Sequence, residues 1–323
     1  MTGAGLSSAY QRWAAIEANG VSAIYEAWAL QIARNPEALR LLNSLPSGKR
    51  QPNLVFAASR WCGMPADSGL DISGFLASRW HQIRPVILER STQTNEAARC
   101  ATLLPAVSTI AGPIALIEVG ASAGLCLLLD KYSYRYRSTT GTAMVDPPSG
   151  ISTVVLECEV DEWPTVTHPE IVWRAGIDLN PIDVASPDSV AWLETLVWPE
   201  HAERQERLRA ALEIAAADPP RIVAGDAVDD LTSLASDAPQ DATLVVFHSA
   251  VLSYLSRENR HRFAATVGQL DAVWISNEGS GVLPLLDRQV TAGSERDFIV
   301  GLNGIAVGLA GPHGQSYRQL PHA

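Results

Sequence analysis

Ile114-Ala-Leu-Ile-Glu118-Val-Gly120-Ala-Ser122-Ala-Gly124 carries the reading of the whole chain. The apolar run Ile114 to Val119 reads as a buried strand, the small residues after it as a turn, and Leu125 to Leu129 as the start of a helix. Glycines in such a turn let backbone approach a ligand without a Cβ clash, and free N–H groups at the helix start attract polar groups. The same spacing also suits a tight strand-to-helix turn that holds no ligand.

Downstream, β-rich runs recur at Ile171 to Leu179, Arg221 to Val223, Thr243 to Phe247 and Ala272 to Ser276, with helical stretches between them. This alternation predicts parallel βαβ units with helices on both faces of a sheet. The helix that Pro219 ends is marked by Glu200 to Arg204 and Glu203 to Arg207 at i,i+4 spacing. Two stretches depart from the alternation. At about 132–170, the alternating Tyr132, Tyr134 and Tyr136, with prolines, predict an inserted antiparallel hairpin that covers part of the pocket. Phe298 to Leu302 and Ile305 to Leu309 flank Asn303-Gly304, a strong two-residue hairpin signal, so the sheet is expected to end in an antiparallel pair.

Upstream, apolar residues from Leu6 to about Gly112 recur at three- and four-residue spacing, as in Trp13 and Ile16, or Trp80, Ile83 and Ile87. Breaks at Gly20, Ser47 to Pro52 and Cys62 to Gly69 divide them into five or six helices. The expected organisation is an α/β chain: an all-helical N-terminal domain, 1–112, covering the crevice of a Rossmann-like, mostly parallel domain, 113–323. Trp192 and Trp198 are expected to pack a helix on that sheet.

Composition bounds the function. Among 323 residues, 47% are hydrophobic and 18% charged, which describes a globular chain and excludes a disordered polyelectrolyte. The net charge of −11, without a basic cluster, makes nucleic acid an unexpected partner. Cys62, Cys100, Cys126 and Cys158 are widely spaced and mostly in apolar stretches, as buried reduced thiols are, so a cytoplasmic location is expected. Met1 to Asn19 reads as an amphipathic helix without signal-peptide features. The longest apolar stretch, Pro113 to Leu129, is broken by Glu118 and is shorter than the roughly 20 residues that span a bilayer, so no membrane segment is expected.

Three motifs fall in order at predicted carboxyl ends of strands, where open α/β sheets bind ligands. After the first come Gly176-Ile-Asp178-Leu-Asn180-Pro181, whose acid can accept from ribose hydroxyls, and Gly225-Asp226-Ala227, whose acid can accept from a purine amine. Together they resemble the pattern of class I S-adenosylmethionine-dependent methyltransferases over about Ile114 to Leu320. That resemblance implies S-adenosylmethionine as donor, with Glu118, Gly120, Ser122 and Gly124 at its methionine part, Asp178 and Asn180 at the ribose, and Asp226 and Ala227 at the adenine. Ser122 departs from the pattern, since many members have glycine there.

Nearly the full length also resembles a bacterial family known as domain of unknown function 2332. The resemblance rests on Lys49-Arg-Gln-Pro-Asn53, Gln93-Thr-Asn-Glu96, Glu118 to Gly124, Arg174 to Asp183, Phe247-His-Ser-Ala250 and Trp274 to Gly279. It implies no activity.

His248 and Glu278 are the candidate catalytic residues. His248 follows the fourth strand of the α/β part and could serve as general base, or be a histidine hydrogen-bonded at a strand end. Asn277 and Glu278 end the fifth strand, where they could hold substrate or cap a loop. Asn95 and Glu96 could reach substrate, although Thr94 or Asn95 also suits a helix cap. Arg50, with Lys49 and Gln51, could complete an anion site or form a solvated turn. The seven histidines lie far apart without metal-ligand spacing, and no metal is expected. The leading expectation is methyl transfer to a small-molecule acceptor. The alternatives are another reaction on the same fold, or a non-catalytic ligand-binding or assembly role. Sequence sets no oligomeric state.

Overall fold

The computed structural model describes residues 3–93, 95–291, 293 and 296–321. The chain forms two compact units: Met1–Thr94 with Pro187–Glu206, and Asn95–Ser186 with Arg207–Ala323.

The first unit is helical, with α1 (Gly3–Trp13), α2 (Ala23–Arg34), α3 (Pro36–Asn43), α4 (Pro52–Trp61) and α5 (Ile72–Glu89). The starts of α2, α3 and α5 are set by short polar side chains. Ser22 Oγ accepts from Tyr25 N, Asn35 Oδ1 from the Glu37 and Ala38 amides, and Asp71 Oδ1 from Gly74 N. Asn35-Pro36 is a break additional to the three expected, with the proline at the first helical position. Phe56 anchors the core, its ring 4.9 Å from Tyr25, 5.7 Å from Trp28 and 6.4 Å from Tyr10.

The second unit opens with α6 (Cys100–Val107), buried along its whole length. β1 (Pro113–Val119), β2 (Ser133–Ser138), β3 (Gly141–Val145), β4 (Val155–Val160) and β5 (Glu170–Asp178) follow. The chain then returns to the helical unit through α7 (Pro187–Leu196), and α8 (Ala202–Ala217) leads to β6 (Arg221–Ala224). Next come α9 (Leu231–Ala235), β7 (Thr243–Ser249), α10 (Arg257–Gln269), β8 (Val273–Gly279), α11 (Pro284–Asp287), β9 (Phe298–Leu302), β10 (Ile305–Ala310) and β11 (Ser316–Gln319). All strands join one sheet, in the order β3-β2-β4-β11-β10-β9-β8-β7-β1-β5-β6.

Its parallel part, β6-β5-β1-β7-β8, has the 3-2-1-4-5 order of doubly wound folds, with the switch point between β1 and β7. The expected antiparallel end is present as β9 and β10, joined at Asn303 (φ 51°) and Gly304 (φ 79°). No helix among the described residues is long and apolar enough to cross a membrane.

Several expectations change. The unit boundary falls at Thr94/Asn95 instead of 112/113, because α6 is buried with the sheet unit. Trp192 and Trp198 pack in the helical unit and not on the sheet: Trp192 Nε1 donates to Ser91 O at 3.0 Å and Trp198 Nε1 to Asn53 Oδ1 at 3.1 Å. Glu200 lies ahead of α8 and accepts from Ser22 Oγ and Ile24 N. Within 132–170, β2 and β3 form the predicted hairpin, but β4 runs parallel to β2 and pairs with β11. The insertion therefore builds the far end of the sheet instead of a flap over its centre. Tyr132, Tyr134 and Tyr136 are buried, and their hydroxyls donate to the carbonyls of Leu125, Leu129 and Ala101. The stretch that Tyr132 and Tyr134 brace, Leu125–Lys131, is a 3₁₀ helix with Leu128 out of helical geometry, in place of the expected α-helix.

Candidate functional site

Doubly wound order brings the ends of β6, β5, β1, β7 and β8 side by side, so Asp226, Asp178, Glu118, Ser249 and Asn277-Glu278 follow one another along one sheet edge. The turn after β1 passes through three left-handed residues, Gly120 (φ 69°), Ser122 (φ 52°) and Gly124 (φ 70°). Both glycines have a packing cause. A Cβ on Gly120 would lie 2.4 Å from Val251 Cγ2, and one on Gly124 would lie 2.6 Å from Pro220 Cγ. Protein atoms thus stand where a side chain on either glycine would go.

The amides of this turn also have partners. Ser122 N donates to Asp178 Oδ2 at 2.9 Å and Ala123 N to Asn95 Oδ1 at 3.0 Å, while Asn95 Nδ2 donates to Ser122 Oγ at 2.8 Å. Asp178 Oδ1 accepts from Asn180 N at 2.7 Å, and Ser122 O from Ile182 N at 3.0 Å. These bonds hold a non-glycine residue at positive φ, a conformation side chains ordinarily avoid. Each Asp178 oxygen retains a further lone pair. Asp226 closes its own loop, with Oδ1 accepting from Val228 N at 2.7 Å, and Ala227 packs beside it against the apolar core.

Glu118, one residue before the end of β1, is 6% exposed, and its Oε2 has no hydrogen-bond partner. Burial pushes its carboxyl well above the usual range, and Cys126 and Asp178 push the same way; Arg99 and the Leu127 amide oppose them. A buried acid that favours its protonated form, at a switch point, has the character of a functional group.

His248 and Glu278 do meet, at 2.7 Å between Nδ1 and Oε1, and both are buried. Trp274 Nε1 donates to His248 Nε2 at 3.0 Å, and an indole nitrogen can only donate, so the ring proton sits on Nδ1 and is donated to Glu278. Both ring nitrogens are thereby engaged. This is the strand-end histidine of the second reading, and its ring offers no free nitrogen to a substrate. Burial would raise the Glu278 carboxyl, but the hydrogen bond from His248, with those from the Leu252 and Val251 amides, outweighs it and holds the group below its ordinary value.

Asn277 is fully buried, its Nδ2 donating to Ser249 Oγ at 3.0 Å and toward Thr102 Oγ1 at 3.4 Å, while its Oδ1 has no hydrogen-bond partner. Arg99, which the sequence reading missed, joins this group: its Nη1 donates to Ser249 O and its Nε to Pro312 O. A lone arginine within Ala97-Ala98-Arg99-Cys100-Ala101 was the available signal.

The remaining candidates take structural places. Glu96, in place of Asn95, caps the turn Ala97–Arg99, and its Oε1 also accepts from Arg207 Nε at 3.0 Å. Thr94 lies outside the described residues. Arg50 belongs to the helical unit, where it donates to the Leu45 and Asn43 carbonyls and to Asn43 Oδ1, and Lys49 donates to Arg90 O. These bonds tie the connection after α3 and account for both cations without an anion.

The sequence profile of a family described as "Uncharacterized protein conserved in bacteria (DUF2332)" matches residues 63–318, most of the chain. The chain belongs to the DUF2332 family. The match covers β1 to β10, most of β11 and all the sheet-edge residues named above. No curated protein matches it.

Proposed function

We propose that this DUF2332 protein binds S-adenosylmethionine at the switch-point edge of its sheet and transfers the methyl group to a small-molecule acceptor in the cytoplasm. The observation that carries the reading is Glu118: a buried carboxyl with an orphaned oxygen, beside the switch point, with Asp178 and Asp226 on the next two strand ends. This donor set fits a nucleoside with an amino-acid tail in part. The remaining lone pairs of Asp178 suit vicinal hydroxyls, and Asp226 is half-buried at the edge strand, within reach of solvent. A sulfonium donor supplies an already activated methyl group, so the protein's task is alignment and exclusion of water. The chain's own acids orient, and no side chain needs to move a proton unless the acceptor is a hydroxyl or thiol.

A non-catalytic role is favoured by a different observation, the engagement of the β1 turn by Asn95 and Asp178. Calorimetric titration with S-adenosylmethionine and S-adenosylhomocysteine, with NAD and ATP as controls, separates the readings. Saturable binding that Asp178→Asn weakens, in a variant that still melts cooperatively, supports the methyltransferase. Absence of binding moves the non-catalytic role to the front. Donor consumption without a methylated product would indicate another group transfer on the same fold.

A further inference from the structure

Successive backbone amides aimed at one place form a concavity that takes anionic or carbonyl oxygens. At the β1 turn, Ser122 N and Ala123 N are successive amides, and each holds a side-chain oxygen, of Asp178 and of Asn95 respectively. The two partners are unlike. Asp178 ends a strand that is hydrogen-bonded to neighbours on both sides, and its position is fixed by β1 and β6. Asn95 lies in no helix or strand, is only half-buried, and is the first residue of the sheet unit, beside the junction at Thr94/Asn95. Its carboxamide makes two contacts with the turn, at Ala123 N and Ser122 Oγ. Two residues before Gly120, Glu118 Oε2 is buried and has no hydrogen-bond partner, an independent sign that the polar groups here are not all used within the protein.

We propose that Asn95 is an autoinhibitory plug: its carboxamide occupies the place at Ala123 N and Ser122 Oγ that a carboxylate or amide of an incoming ligand would take, and it leaves when that ligand docks. The plug rests on the reading of this edge as a ligand site. It accounts for an edge with the strand order and acids of a binding crevice whose turn is nevertheless closed by its own chain.

The test uses the full chain, S-adenosylhomocysteine as calorimetric probe, and the variants Asn95→Ala and Ser122→Gly, each with a thermal melt. Asn95→Ala removes both contacts and is expected to bind the probe about tenfold more tightly than the native chain, while its Tm falls. Ser122→Gly removes one contact and relaxes the left-handed residue, so the gain should be smaller. A mere brace would behave oppositely, with Tm and affinity falling together. Native binding with equal or weaker binding by both variants overturns the plug and leaves the donor reading standing. Probe binding by Asn95→Ala where the native chain shows none supports both. No binding by any of the three removes the donor reading and the plug with it. Ser122→Gly decides the matter if Asn95→Ala does not fold.

Discussion

Glu118 and Glu278, both buried acids at the same sheet edge, should respond to pH in opposite senses. The folded-state carboxyl of Glu118 is raised, so the stability its protonated form contributes is full below the unfolded value of about 4.3 and is lost as pH rises through the folded value. Glu118→Gln keeps the shape without the charge. It is expected to raise Tm at pH 8 by about 2–4 °C, equivalent to roughly 1 kcal/mol, with the gain vanishing near pH 4 in a melt series. Glu278 is lowered, so its contribution is present above about 4.3 and is lost as pH falls through the folded value. Glu278→Gln should cost about 1–3 kcal/mol at pH 7 in urea unfolding, and the gap should narrow in acid. At this scale the sequence placed His248 and Glu278 separately, each at the end of its own strand, and gave no sign that they bond to one another. The neutralising detail, Trp274 donating to the second ring nitrogen, joins residues 26 apart, and no local pattern announces it.

Elements were most legible where the cause is local. Asn303-Gly304 prescribes a turn with two left-handed residues, and Asn303 also exchanges bonds with Trp274, N to O and N to Oδ1, at 2.8 Å each. Asn303→Ala is therefore expected to lower stability by about 1–2 kcal/mol, measured by urea unfolding. The β1 turn was legible as a turn, but the reason for its glycines was not, because Val251 lies 131 residues beyond Gly120 and Pro220 lies 96 beyond Gly124. Gly124→Ala would press a Cβ onto Pro220 and Ile222 at positive φ. It should unfold the protein at lower urea whether or not ligand is present, whereas a glycine kept only for ligand approach would lose affinity alone. The pairing of β4 with β11 rests on two register pairs, Ser316 with Glu159 and Tyr317 with Val160, and carries no signal in either segment.

Across the whole molecule, the division into helical and α/β parts was legible from the change of period near Gly112, but its bookends were not. The residues Pro187–Glu206 lie between β5 and β6 in sequence and within the helical unit in space. Arg90 is layered over Trp61 at 4.5 Å and Trp192 at 5.0 Å, and Arg60 Nη1 donates to the Thr195 and Val197 carbonyls. Trp192 is 2% exposed, so Trp192→Ala should cost about 3–5 kcal/mol. Hydrogen exchange should show the loss first in α2, α4 and α5, although the substitution lies in a crossover of the sheet.

That interleaving sets an order on the ribosome. The first 94 residues emerge without the strap that completes their core, and the next 92 belong to the other unit. At roughly 5–20 residues per second, the nascent helices wait on the order of 5–20 seconds before Trp192 and Glu200 leave the exit tunnel. During that interval Tyr25 and its aromatic neighbours lack Trp198, so the amino-terminal helices are expected to expose apolar surface of the kind that chaperones shield during synthesis.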